Sequence, residues 1–183
     1  SMKHVKLLLL LTTCLYLFGC ASGAKQENIV YRGMVSPQPA ALKDNIAIDS
    51  VTGGQKTNPA WTSEISNESF SSALRQSLAY QNLLGDNGRY RLKVELLAVD
   101  QPLFGFNFTV KTQIRYTLVD QQSQQTVMAE TINASYTATT GDAFVAVTRL
   151  RLANEGAAKK NIQDLMQRLS ELKLDAGQVS LAQ

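Results

Sequence analysis

The chain has 183 residues, 44% hydrophobic and 18% charged, which suits one domain plus extensions and lies well outside the composition of disordered chains. Its formal charge is +3, but with Lys3 and Lys6 assigned to a targeting signal the 18 basic residues become 16 against 15 acidic ones, so no basic surface for nucleic acid is expected. Both cysteines (Cys14 and Cys20) and the only histidine (His4) lie in the first twenty residues, which excludes disulfides, Cys/His metal sites and His-dependent triads from everything downstream.

The start of the chain reads as a signal. Lys3 and Lys6 are followed by an apolar run from Leu7 to Phe18, about a dozen residues, too short to span a bilayer of roughly 30 Å. Its end, Leu17-Phe18-Gly19-Cys20, resembles the bacterial lipobox, which implies cleavage before Cys20, acylation of its thiol and then of its freed amine. Two or three acyl chains, at about 0.8 kcal/mol per buried CH₂, would anchor the protein almost permanently. Ala21 and Ser22 follow the cysteine with no aspartate, the pattern that enterobacterial sorting sends to the periplasmic face of the outer membrane. Residues 1–19 are therefore expected to be a signal peptide. Residues 20–44, with Pro37 and Pro39 and no sustained periodicity, are expected to form a lipidated cysteine and an extended tether.

The domain is expected over residues 45–175, with 176–183 as a tail. Ile46, Ile48 and Val51 mark a first strand ended by Gly53-Gly54. Ser66 or Asn67 can cap a helix running to Leu84, stopped by Gly85, with Phe70, Leu74 and Leu78 along one stripe. Three strands follow between Arg89 and Thr139. Tyr90, Leu92, Val94 and Leu96 share a face in the first of these, Phe106, Phe108, Val110, Ile114, Tyr116 and Leu118 in the second, and Met128, Ile132, Ala134, Tyr136 and Ala138 in the third. Period two with one apolar face marks an antiparallel sheet covered on one side. A last helix is expected from Ala143 to Leu172, capped by Asp142 and weakened or kinked at Gly156. The fold class is thus α+β: a two-layer sandwich in β-α-β-β-β-α order, with a mainly antiparallel sheet and two helices on one face.

That order behind a lipobox-type cysteine is similar in topology to LPS-assembly lipoproteins of the LptE type and to YajG-like lipoproteins. The blocks "NPAWTSEI", "DQPLFGF" and "SYTATTGDAFVAVTRLRLANEGAAKKNI" resemble a family of proteobacterial envelope lipoproteins of unassigned function. The resemblance covers most of the mature chain and implies an envelope location; the LptE likeness implies LPS binding by fold analogy alone.

Chemistry is sparse. Ser170-Glu171-Leu172-Lys173 spells S-x-x-K without the S-D-N and K-T-G partners of penicillin-binding enzymes, and the carboxylates are scattered, with Glu155 four residues after Arg151 as an ordinary helix-surface pair. No catalytic residue, metal site or cofactor is expected. Two features could carry binding. Leu103, Phe104 and Phe106 flank Gly105 at a bend, where they either continue the buried strand faces or insert into a lipid or partner. In Ala143 to Ala153, Phe144, Val145, Val147, Leu150 and Leu152 leave almost no polar side, so either the tether folds over this stretch or another protein does. Leu103, Phe104, Phe106, Phe144, Val145 and Leu152 are the partner-binding candidates, and Cys20 the lipidation site. The expected function is a non-catalytic outer-membrane lipoprotein, anchored by acyl chains, with an accessory role in envelope assembly through protein contacts. A lipid or LPS carrier with an acyl-binding pocket is the alternative.

Overall fold

The period-two stretches are strands, and their apolar faces all turn to the same side. A computed structural model describes residues 2–3, 20–60 and 62–174. In chain order it contains α1 (Gln26–Ile29), a 3₁₀ turn (Ala40–Leu42), β1 (Ile46–Thr52), α2 (Asn67–Tyr80), β2 (Tyr90–Asp100), β3 (Phe108–Asp120), β4 (Gln125–Ala138) and α3 (Ala146–Ser170). The strands form one sheet in the order β1-β2-β3-β4. β1 runs parallel to β2 through the α2 crossover, and the other two pairs are antiparallel. Both longer helices cover one face of this sheet, α2 against β1 and α3 against β3 and β4. The expected α+β sandwich is the fold.

Register explains why one face is dry. Ile114 sits opposite both Leu96 and Ile132, and Tyr116 opposite Val94, so the inward positions of β2, β3 and β4 fall in rows under the helices. A bulge between Leu96 and Ala98 in β2 leaves Leu97 and Ala98 both outside and shifts the parity, so that Val99 packs inward. Between the layers Phe70, Leu74, Leu92, Ile114, Tyr116, Ile162 and Leu165 are fully buried. A polar cluster crosses the same layer. Asn161 of α3 accepts from Tyr116 Oη at 2.8 Å and donates to Thr112 Oγ1 at 3.1 Å and to the Ile132 carbonyl at 2.9 Å. Burial, with a smaller contribution from Asp164, pushes the Tyr116 phenol well above its ordinary value, so it remains a neutral donor.

Several expectations are corrected. Residues 21–44 are not an extended tether: Ala21, Ala24, Ile29, Val30 and Leu42 are buried, and the segment joins the core. Glu155 pairs with Arg151 as expected, Nε to Oε1 at 3.7 Å, but not on an open helix surface. It is buried, and its carboxylate accepts from the Lys25 backbone N–H at 2.7 Å and the Asn28 side-chain amide at 3.1 Å, tying the start of α1 to α3. Helix α2 begins as expected, with Ser66 Oγ accepting from Ser69 N–H, but stops at Tyr80. Asn82 takes a left-handed φ of 56° and the Leu83 N–H bonds back to the Leu78 carbonyl, closing the helix before Gly85. Helix α3 starts at Ala146, since the Asp142 carboxylate is committed to the preceding turn, accepting from Thr139 N–H and Oγ1. It continues through Gly156 to Ser170. Gly156 is needed for close approach: a Cβ there would fall 2.2 Å from the Tyr136 ring. The signal-peptide stretch, Met2 and Lys3 apart, and the 176–183 tail lie outside the described residues.

Candidate functional site: an apolar pole clamped by Arg149

At the end of the sheet where β2 finishes, β3 starts and α3 begins, two loops carry apolar side chains into solvent. Phe106 does not continue the β3 face as its spacing predicts, because the strand starts at Phe108. Leu103 is 94% exposed, Phe104 85%, Phe106 85%, Phe144 91% and Val145 46%. These are five of the six partner-binding candidates, and the fold brings them to one pole from two segments about forty residues apart in sequence. The sixth, Leu152, is separated from them. It is half-buried and lines a groove of about 520 Å³ between β4 and α3 with Tyr136, Gly156 and Lys159.

The loops are held by one side chain that sequence reasoning passed over. Arg149 is only 5% exposed. Its Nη1 donates to the Ala143 carbonyl at 2.9 Å and the Phe144 carbonyl at 3.0 Å, while Nη2 donates to the Gly105 carbonyl at 3.2 Å. The guanidinium also lies 4.6 Å from the centroid of the buried Phe108 ring. A planar fork with five donors suits this task, since a lysine could not reach three carbonyls on two loops together. Gly105, at φ +139°, adopts a backbone conformation that other residues strain to reach, and this turns its carbonyl toward the clamp. A basic residue inside an otherwise apolar helical stretch was the available sequence signal, but its acceptors are backbone atoms and leave no mark in the sequence.

A second polar cluster supports the base of the same pole. The Gln101 amide donates to the Ser63 carbonyl at 3.0 Å and to Asn154 Oδ1 at 2.9 Å, and its oxygen accepts from Thr62 Oγ1 at 3.1 Å. Asn154 in turn donates to the Ser63 carbonyl at 3.0 Å. Burial pushes the pKa of the neighbouring Glu64 carboxyl above its ordinary value, partly offset by its hydrogen bond from Gln101.

The N-terminal segment enters the domain beside this base. The Ala21 N–H donates to the Pro59 carbonyl at 2.9 Å, and Asn58 pairs with Thr62. Arg151 Nη1 donates to Ser22 Oγ at 3.2 Å. Cys20 itself is exposed. The N-terminal segment therefore lies over part of the apolar stretch of α3, one of the two covers its sequence allows. Among the described residues no three His, Cys, Asp or Glu side chains stand close enough to hold a metal, and no helix is long and apolar enough to cross a membrane.

The fold is similar to that of several solved proteins. Protein XCC0632 of Xanthomonas campestris, described under the DUF330 family model, aligns over 74% of this chain and 90% of its own, with 11% identity and a TM-score of 0.53. Protein CT253 of Chlamydia trachomatis aligns over 69% and 95%, with 9% identity and a TM-score of 0.51. PelC of Paraburkholderia phytofirmans, solved as a dodecamer, aligns over 76% and 96%, with 15% identity and a TM-score of 0.50. At these identities the likeness is one of fold. No family model matches the sequence, and no curated protein matches it.

Proposed function

We propose that the protein is a lipid-anchored, non-catalytic component of the cell envelope that acts by contact, in an accessory role in envelope assembly, with the apolar pole as its contact surface. The observation that carries this reading is the exposure of Leu103, Phe104, Phe106 and Phe144 on loops that a buried arginine holds in place. Large apolar side chains exposed together at one end of a domain mark a binding face. The signal-like start, with its lipobox-type end at Cys20, supports membrane anchoring, and Ala21-Ser22 without an aspartate supports the periplasmic face of the outer membrane.

Carriage of a lipid inside the sandwich is less favoured. The space between sheet and helices is occupied by fully buried side chains such as Phe70, Tyr116 and Ile162. The groove beside Asp164, Gln167, Arg168 and Glu171, about 540 Å³, is polar and open, unlike an acyl-binding cavity. The test is photo-crosslinking in intact cells from probes at Phe104 and Val145, with a probe at Tyr80 on the far end as reference. The pole positions are expected to capture a defined envelope component that Tyr80 does not. Equal and sparse labelling at all three positions would sink the reading.

A further inference from the structure

We propose that the pole is a second membrane anchor: its apolar side chains enter the same lipid leaflet that holds the acyl chains of Cys20. This rests on the lipid-anchored reading above and names what the pole touches.

The argument begins with where the anchored cysteine leaves the domain. With residues 21–44 packed into the core, Cys20 is one residue from a fixed point, the hydrogen bond from Ala21 N–H to the Pro59 carbonyl. One or two residues reach at most about 7 Å, so an acylated Cys20 draws this part of the domain down onto the headgroups and leaves no slack for another orientation. The pole lies at the same end. Asn58 pairs with Thr62, Thr62 bonds Gln101, and Leu103 is two residues further on. From the other side, Arg151 holds Ser22 while Arg149, two residues earlier on the same helix, holds Gly105 and Phe144. Whatever surface receives the acyl chains therefore also meets the two loops.

The form of the pole favours lipid over a folded partner. At 85–94% exposure, Leu103, Phe104, Phe106 and Phe144 pack neither on each other nor on the domain, so they stand as separate prongs. A protein hot spot is a packed cluster facing a complementary pocket. A fluid acyl layer needs no such complementarity and accepts irregular apolar protrusions to a depth of about 5–10 Å below the headgroups.

The test uses acylated protein, purified from cell envelopes and reconstituted in vesicles of phosphatidylethanolamine and phosphatidylglycerol. Trp61, the only tryptophan, is first replaced by Phe, and a single reporter is then placed by Phe104→Trp, Phe144→Trp or Tyr80→Trp. Lipids brominated at successive acyl positions should quench the reporters at 104 and 144 at a depth of about 5–10 Å, and leave the one at 80 unquenched. A second measurement uses the Cys20→Ser chain without acyl groups. Phe104→Ser and Phe144→Ser should each weaken its flotation with the same vesicles by about tenfold, the loss expected for one ring withdrawn from an apolar phase. Reporters at 104 and 144 no more quenched than the one at 80 would overturn the proposal while leaving the lipid anchor standing. Crosslinking of the pole to one envelope protein without quenching by lipid would overturn it in favour of protein docking. A Cys20 found unacylated in cells, with the pole still quenched, would remove the anchor reading and support membrane entry.

Discussion

The two ends of the sandwich are built on opposite plans. At the far end the β3–β4 hairpin turns through Gln121, Gln122, Ser123 and Gln124, all exposed and polar. Its polar groups are satisfied within the turn and by Arg89 at the neighbouring start of β2. Asp120 accepts from Arg89 Nε at 2.8 Å and Nη2 at 2.7 Å and from the Gln122 N–H, and Gln124 donates to the Gln121 carbonyl. At the near end the β2–β3 connection carries Leu103, Phe104 and Phe106, and the bond to the Gly105 carbonyl at its tip comes from a helix outside the hairpin. The far end is made to terminate a sheet in water. The near end holds apolar groups where water is the wrong solvent, and needs a buried cation to keep them there.

The contrast predicts a hierarchy of effects, largest where both ends depend on the shared core. Asn161→Leu should cost about 2–4 kcal/mol, because it strands the Tyr116 hydroxyl and the Ile132 carbonyl in a dry layer at once. Urea unfolding measures it, and both ends should lose hydrogen-exchange protection together. A loss under about 1 kcal/mol would mean that the cluster is wetter than its burial implies.

Arg149→Met keeps the bulk of the side chain and removes the donors to Gly105, Ala143 and Phe144. A decrease of about 1–3 kcal/mol is expected. The decisive readout is regional: amide exchange should accelerate at residues 105–107 and 143–146 and stay unchanged around Asp120. Equal acceleration at both ends would mean that Arg149 supports the whole fold and not this pole.

The same contrast shows how far the sequence could be read. Strands β2 to β4 were legible because alternation reports burial directly, and alternation alone turns Thr112 inward. Its partner Asn161 was not legible, since nothing in a helical stripe of Ile162, Leu165 and Leu169 announces a polar residue facing the same layer. The N-terminal segment was misread as a tether because short pieces such as Gln26–Ile29 carry too few residues for a period, and their burial is decided by Glu155, 130 positions from Lys25. The candidate pole was found as residues but not as a site: Leu103–Phe106 and Phe144–Val145 looked like two independent features until Arg149 joined them.

At the far end the expected effect is smaller and depends on pH. The hydrogen bonds from Arg89, ahead of the backbone bond from Gln122, hold the Asp120 carboxyl well below its ordinary value of 3.8. A carboxylate with a lowered native value stabilises fully above the unfolded value and less as pH falls through it. Asp120→Asn should therefore cost about 1–2 kcal/mol at neutral pH, and the difference from the parent protein should shrink between about pH 4 and pH 2. A difference that stays constant over that range would assign the loss to the turn's geometry and not to the ion pair.

The smallest expected effect discriminates best. Phe104→Ser with Phe144→Ser should change stability by no more than about 0.5 kcal/mol, since side chains 85–91% exposed in the free protein lose almost no burial on truncation. Residues kept for folding cannot be removed so cheaply. If the double variant unfolds at the same urea concentration as the parent yet no longer engages its target, the prongs serve contact alone. A loss of about 2 kcal/mol or more would instead mean that the two loops fold back over the domain in solution, and the apolar end would be core, not surface.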